Sequence, residues 1–247
     1  ALLDEPRVIS VEVNLPSPVS GEGLEGLHLS ADGQQVEMES VEPVGRLMNG
    51  RTRKVTITTR EDLDLNRTYL LEKAHYESAV VGLGNIFSSR AFEEQFHYDA
   101  HDLGAVYTKE KTTFRVWAPT ASKVELITYE AGEGGVGTTY PMTSDVKGTW
   151  VTVLPGDNHG LYYTYRVTVG EQTNEAVDPY AWAVGVNGDR GMVIDLRRTD
   201  PSGFDELKKP EFINFVDAVI YELHVRDLSS HPNSGIANKG KFLGIIE

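Results

Sequence analysis

Apolar and polar residues alternate along most of this chain. In Arg7-Val8-Ile9-Ser10-Val11-Glu12-Val13 and Lys54-Val55-Thr56-Ile57-Thr58 one face is apolar and the other polar, the period-two pattern of a half-buried β-strand. Similar runs recur at residues 35–41, 68–73, 113–118, 123–129, 149–154 and 161–169. Between them stand turn-forming sequences: Asp32-Gly33, Asn49-Gly50, Lys147-Gly148, Pro155-Gly156-Asp157 and Asn187-Gly188, which favour the tight connections of antiparallel strands. Many short strands at this spacing predict β-sandwiches. Helical periodicity is confined to residues 89–96, where Ala91, Phe92 and Phe96 supply one or two turns between domains.

The pattern changes twice. A first boundary is expected near Tyr98, and a second at residues 201–210, where Asp200-Pro201-Ser202-Gly203-Phe204 and Lys208-Lys209-Pro210 make a polar, proline-bearing connector. Beyond it, Val216-Asp217-Ala218-Val219-Ile220-Tyr221-Glu222-Leu223-His224-Val225-Arg226-Asp227 opens almost wholly apolar and then alternates. Such an opening belongs to a strand buried on both faces, as in parallel barrels. A barrel of eight strand and helix units takes about 250 residues, so this segment is expected to be the first piece of a domain that the chain does not complete.

Composition narrows the functions such a chain can serve. Lys and Arg total 23 against 37 Asp and Glu, a net charge of −14. A surface that acidic repels nucleic acid, and it leaves a neutral polymer, bound by stacking and hydroxyl bonds, neither favoured nor excluded. The absence of cysteine removes disulfides, thiolate metal sites and a cysteine nucleophile. No apolar run approaches the roughly 20 residues of a membrane span. The opening Ala1-Leu2-Leu3-Asp4-Glu5 has no basic, apolar leader, which leaves the compartment open between a bacterial cytoplasm and secretion.

Several motifs occur in an order that carries a resemblance. Phe114-Arg115-Val116-Trp117-Ala118-Pro119, then Gly148-Thr149-Trp150, then Gly160-Leu161-Tyr162-Tyr163-Thr164-Tyr165 resembles a family 48 carbohydrate-binding module. Asp178-Pro179-Tyr180-Ala181 with Asn187-Gly188-Asp189-Arg190 is similar to the segment that joins this module to the barrel in type I pullulanases, of glycoside hydrolase family 13. Tyr221-Glu222-Leu223-His224-Val225-Arg226-Asp227-Leu228-Ser229 and Asn238-Lys239-Gly240-Lys241-Phe242-Leu243-Gly244 resemble that family's first barrel strand and the loop after it. Residues 1–97 resemble the extra N-terminal β-domain of Bacillus-type pullulanases, mainly through Arg90-Ala91-Phe92-Glu93-Glu94-Gln95-Phe96-His97-Tyr98-Asp99.

The resemblance implies a mainly β chain with two immunoglobulin-like β-sandwich domains, at 1–97 and 98–210, followed at 211–247 by the first strand of a (β/α)8 barrel. It implies the N-terminal part of a retaining enzyme that hydrolyses α-1,6 linkages in pullulan, starch or glycogen. The family's aspartate nucleophile and glutamate acid/base, two carboxylates about 5 Å apart, lie downstream of the first strand, so no catalytic residue is expected in this chain. The implied partners are the remaining catalytic portion and the α-glucan, with no nucleic acid, no membrane and no cofactor. Starch-binding modules of this family carry tryptophans in two loops. Here those loops read Tyr129-Glu130-Ala131-Gly132-Glu133 and Gln172-Thr173-Asn174-Glu175, which points to a docking support for the barrel. The rival reading is a stand-alone, non-catalytic α-glucan-binding or scaffold protein.

Three residues are candidates for sugar contact. Trp182 sits in a connector, free to stack on a sugar ring or to pack against the barrel. Arg90 has a guanidinium fork for hydroxyls, or is a solvated charge. Gly84 lets backbone approach a ligand closely, or makes an ordinary turn. Trp117 and Trp150 alternate with polar neighbours and are expected in the core. Gly132-Glu133-Gly134-Gly135-Val136-Gly137 has dinucleotide-loop spacing but precedes a strand, so a hairpin loop is expected. The run Asp62-Leu63-Asp64-Leu65-Asn66 fails as a calcium loop, with Arg67 where glycine is required and Lys73 where the bidentate glutamate belongs. His97, Asp99, His101 and Asp102 form either a metal cluster or a polar turn, and the turn is preferred. Glu222, His224 and Arg226 share one face of the expected strand and would brace a barrel interior.

Overall fold

The computed structural model describes residues 1–18, 26–208, 211 and 213–247, in two compact units, 1–199 and 200–247. Within the first unit the alternating runs form strands that bury their apolar faces in two hydrophobic clusters. The expected dominance of strands over helices is met, in sheets that are antiparallel apart from the parallel β1–β9 pair and that stack as sandwiches.

The first cluster lies between two sheets. One contains β1 (Leu2–Glu5), β2 (Val8–Pro18), β5 (Met38–Pro43), β6 (Arg51–Thr59) and β9 (Gly82–Leu83); the other contains β3 (Leu27–Ala31), β4 (Gln34–Gln35), β7 (Tyr69–Lys73) and β8 (Ala79–Val80). Ile9 and Ile57 face each other in the β2–β6 register and, with Leu29 from the opposite sheet, are fully buried. The hairpin β3–β4 turns on Asp32 (φ 51°) and Gly33 (φ 75°), as the Asp-Gly pair requires. Next comes helix α1 (Arg90–Phe96), capped by the Ser89 hydroxyl, which accepts from the Phe92 N–H at 3.1 Å. Its Phe92 and Phe96 join the first cluster.

The second cluster is closed by the sheets β10–β11–β15–β14 and β13–β12–β16–β19–β18, with β17 paired to β16. These strands are β10 (Gly104–Tyr107), β11 (Lys111–Trp117), β12 (Lys123–Tyr129), β13 (Thr138–Pro141), β14 (Thr143–Ser144), β15 (Thr149–Pro155), β16 (Tyr162–Val169), β17 (Gln172–Ala176), β18 (Ala183–Val184) and β19 (Gly191–Met192). Phe114 of β11 meets Tyr163 of β16 edge to face, with ring centroids 4.9 Å apart. Residues 132–137 form the hairpin loop between β12 and β13, and the strand that follows leaves no helix end for a phosphate.

Polar bonds join the two sandwiches. The Trp117 indole N–H donates to the carbonyls of Phe96 (2.9 Å) and Lys147 (3.1 Å), and Lys147 Nζ donates to the carbonyl of Glu94 at 2.8 Å. Asn66 Nδ2 donates to the carbonyls of Pro119 and Ala121 at 3.0 and 2.5 Å. Arg115, nearly buried, pairs with Asp102 at 2.9 Å and Asp145 at 2.6 Å and lies over the Tyr98 ring, which ties the segment after α1 to β11.

The second unit is organised differently. Neither hydrophobic cluster contains a described residue of 200–247. Around the buried Ser229, its hydroxyl accepts from the Gly240 N–H at 2.7 Å and its carbonyl from the Ser234 hydroxyl at 3.0 Å. The barrel strand expected at 216–227 is corrected here. Phe215–Asp217 is a single 3-10 turn, residues 218–224 join no ladder, and Val225–Ser230 is a helix, α2. A barrel strand keeps its form through hydrogen bonds to neighbours on both sides, and none of the described strands pairs with this segment. The residues that would have shared its face instead lie on exposed backbone or in α2, where His224 Nδ1 accepts from the Asp227 N–H at 3.4 Å. Residues 209 and 210 of the expected connector lie outside the described residues. Among the described residues, no helix is long and apolar enough to cross a membrane.

The sandwich junction is tightest at Gly148. Its φ is +73°, and a Cβ there would lie 2.6 Å from Pro119 Cβ and 2.9 Å from Phe96 Cδ1. A left-handed side chain costs roughly 1–2 kcal/mol and overpacking a further 1–3 kcal/mol, roughly. Gly148→Ala is therefore expected to destabilise the first unit by about 2–5 kcal/mol in urea unfolding; a change below about 0.5 kcal/mol would show that the junction yields freely.

Candidate carbohydrate-binding surface

Trp182 stands between β17 and β18 and is 75% exposed. It borders an open cleft of about 820 Å3 that is also lined by Tyr107, Lys109 and Glu110 of the β10–β11 turn and by Asp195 and Arg197. The polar walls are fixed by internal bonds. The Tyr107 hydroxyl donates to Asp157 at 2.7 Å. The Asp195 N–H donates to His159 Nδ1 at 3.0 Å, and Arg197 Nε donates to the Asp195 carboxylate at 3.0 Å. The Tyr107 hydroxyl, followed by the His159 backbone N–H, holds the Asp157 carboxyl below its ordinary range. Arg197 does the same for Asp195. An exposed indole beside oriented carboxylates, a lysine and a guanidinium can stack on the C–H face of a sugar and bond its hydroxyls.

The other two candidates do not share this cleft. Gly84 follows β9 and donates its N–H to the Leu3 carbonyl at 2.9 Å. A Cβ at Gly84 would lie 2.8 Å from Asp4 Oδ1 and 2.9 Å from Leu2 Cβ, so glycine there lets the chain press against β1. Arg90 opens α1, is almost wholly exposed, and pairs with Glu94 at 2.6 Å. The expected polar turn at 97–102 spends its groups on neighbours: His97 pairs with Glu93 at 2.9 Å, and Asp102 binds Arg115 and accepts from the Tyr98 hydroxyl. Among the described residues, no group of three or more His, Asp or Glu is placed to hold a metal ion.

Asp178 appears in the sequence only as part of the joining segment, and its role there is visible in the structure alone. Its side chain is 3% exposed; Oδ2 accepts from the Tyr163 hydroxyl at 2.7 Å and Oδ1 from the Tyr180 N–H at 2.8 Å. The Tyr165 hydroxyl is buried close enough to act on the carboxylate, yet without a hydrogen bond of its own. Burial outweighs these donors and raises the Asp178 carboxyl above its ordinary range, and the same burial drives the Tyr163 hydroxyl far upward. The available signal was the Asp-Pro-Tyr turn, in which an aspartate characteristically accepts from the N–H two residues on. That bond clamps the connector bearing Tyr180 and Trp182 to the core strand β16.

Comparison with known proteins fits this geometry. Residues 102–181 match the family model of carbohydrate-binding module 48, the isoamylase N-terminal domain. A pullulanase of Bacillus subtilis is 41% identical over 165 residues, which is 67% of this chain and 22% of that protein. The crystal structure of a pullulanase from Anoxybacillus sp. LM18-11, complexed with maltotetraose, superposes on all of this chain at 34% identity and a TM-score of 0.74, with 33% of its own chain covered. One from Paenibacillus barengoltzii, in complex with maltohexaose and α-cyclodextrin, is 56% identical over 64% of this chain, with a TM-score of 0.61 and 25% of its own chain covered. The chain thus spans about a quarter to a third of the length of these relatives.

Because burial raises the Asp178 carboxyl in the folded state, its contribution to stability is fully present below the unfolded value of about 3.9 and is lost as pH rises through the folded value. Asparagine does not titrate. The stability of the wild type relative to Asp178→Asn, measured by urea unfolding between about pH 4 and pH 7, is expected to fall steadily with rising pH; a flat difference would mean that the carboxylate is solvated.

Proposed function

We propose that this chain, the N-terminal part of a pullulanase with a family 48 carbohydrate-binding module at residues 102–181, serves an enzyme that hydrolyses α-1,6-glucosidic linkages in pullulan, starch or glycogen. The observation that carries the reading is that both sandwiches and the 200–247 unit correspond, in one alignment, to the Anoxybacillus pullulanase. The proposed domains are 1–97, 98–210 and 211–247, the last being the opening of the catalytic barrel. Its obligate partner is the remaining catalytic portion, which supplies the nucleophile and acid/base carboxylates. Support comes from the second unit, where Val219 and Ile220 are 96% and 90% exposed and Tyr221 and Phe242 nearly as much. So much open apolar surface marks an interaction face.

Within this reading Trp182, just past the module, is a contact to α-glucan, because its indole lies open in a cleft with hydroxyl-bonding walls. Gly84 and Arg90 are kept as weaker contacts, since packing against β1 and the Glu94 pair already account for them.

Two measurements test this. The chain alone is expected to release no reducing ends from pullulan, and the chain extended by its downstream polypeptide to release them. Trp182→Ala is expected to weaken retention on amylopectin about tenfold, or about 1.4 kcal/mol. Debranching by the chain alone would overturn the first claim. Unchanged retention would move Trp182 to the barrel interface, and tight glucan binding with no activity in the extended protein would favour a stand-alone binding protein.

A further inference from the structure

A second cleft, of about 240 Å3, opens where the two sandwiches meet. Phe92 and Phe96 of α1, both buried, form its floor, and Trp117 of β11 and Tyr180 of the connector stand beside them, 40% and 50% exposed. Glu93 and His97, paired with each other at 2.9 Å, line it too, and Tyr98 and Leu103 complete the lining.

The Trp117 ring is held from behind, and the backbone that carries Tyr180 is fixed. The one polar atom of the Trp117 indole is consumed by the carbonyls of Phe96 and Lys147, so the surface it leaves open is carbon. Its edge-to-face packing on Phe92, at 6.3 Å between ring centroids, fixes the ring plane. Tyr180 is set by its own backbone: the buried Asp178 accepts its N–H, and a Cβ at Gly104, whose φ is +96°, would lie 3.0 Å from the Tyr180 carbonyl oxygen. Rings immobilised before binding lose little entropy when a ligand covers them. The Trp117 ring held in this way, with Tyr180 beside it on a fixed backbone, offers a stacking platform, and the carboxylate and imidazole nearby can bond hydroxyls.

The chemistry of the occupant follows from charge and size. Glu93 at the mouth, on a chain of net charge −14, disfavours an anion. With Glu93 as its one carboxylate the lining lacks the oxygen ligands a hard metal ion requires, and the volume accommodates one ring rather than an extended segment. We propose that this junction cleft binds a single neutral pyranose, the terminal glucosyl unit of an α-glucan, with its C–H face on Trp117 and Tyr180 and its hydroxyls on Glu93 and His97. The sugar's identity rests on the debranching-enzyme reading; the site itself rests on the cleft. Occupancy would bridge the sandwiches and hold a glucan end at a distance from the Trp182 cleft, whose lining shares no residue with this one.

The test is calorimetric titration of the 247-residue chain with maltotetraose, with cellotetraose as the control for ring linkage, in four forms: wild type, Tyr180→Ala, Glu93→Gln and Trp182→Ala. Tyr180 and Glu93 are surface side chains, and urea unfolding of each variant shows whether the fold is kept. The expected result is saturable binding that falls at least about tenfold in Tyr180→Ala and about threefold in Glu93→Gln, and that persists in Trp182→Ala. Loss confined to Trp182→Ala would overturn the junction site while leaving the proposed function intact. Absence of binding in the wild type would overturn it too, with the pullulan assay then deciding whether the debranching reading stands. Equal binding of cellotetraose would retain the cleft as a pyranose site and overturn its assignment to α-glucan.

Discussion

The indole N–H of Trp117 is the bond on which the arrangement of the first unit turns. It donates to one carbonyl at the end of α1 and to another in the turn before β15, so a single side chain on β11 reads the position of both sandwiches. Neither carbonyl is used by a strand ladder, and unpaired polar backbone at a packed junction costs about 1–3 kcal/mol per group. The two sandwiches therefore share a polar seam that also includes the Asn66 amide and the Lys147 ammonium. Gly148 belongs to the same seam because the Lys147 carbonyl reaches Trp117 only if the next residue has no Cβ to strike Pro119 and Phe96.

Asp178 plays a matching role for the connector after β17. A connector that leaves the sheet after β17 would be free to swing, and with it Tyr180 and Trp182. A buried carboxylate that binds the Tyr163 hydroxyl of the core strand and the Tyr180 N–H of the connector removes that freedom. The cost is a desolvated charge, visible as the raised carboxyl. Buried polar groups tolerated at such a cost commonly serve to specify a single geometry. Here the geometry specified is that of the connector backbone that carries Tyr180 and Trp182.

Much of this was legible in the sequence because alternation is a local signal. Every run read as a strand in the two sandwiches has a strand within or across it, and the Asp32-Gly33, Asn49-Gly50, Lys147-Gly148 and Asn187-Gly188 pairs all adopt positive φ at both residues. What alternation could not give was any property set by distant partners. Trp117 has the spacing of a core residue, yet it lies at the junction with its ring half open, while Trp150 donates to the Ala118 carbonyl and packs against the second cluster. The strand expected at 216–227 fails for the same reason in reverse: its pattern is that of a barrel stave, but a stave exists only through its neighbours. Gly84 and Arg90 were flagged by residue type alone, and residue type does not say that Asp4 or Glu94 is already in place to explain them.

The contrast between the units is itself an argument about function. In the first, apolar side chains of opposing sheets close two clusters. In the second, apolar side chains at 213, 215, 216, 219, 220 and 221 lie open, while the bonds that organise the unit are hydroxyl, amide and carboxylate contacts around Ser229 and Glu247. Hydrophobic burial is the main favourable term in folding, and this unit forgoes it. A segment whose local structure is polar but whose sequence is apolar leaves its hydrophobic side chains available to a partner rather than to a core of its own.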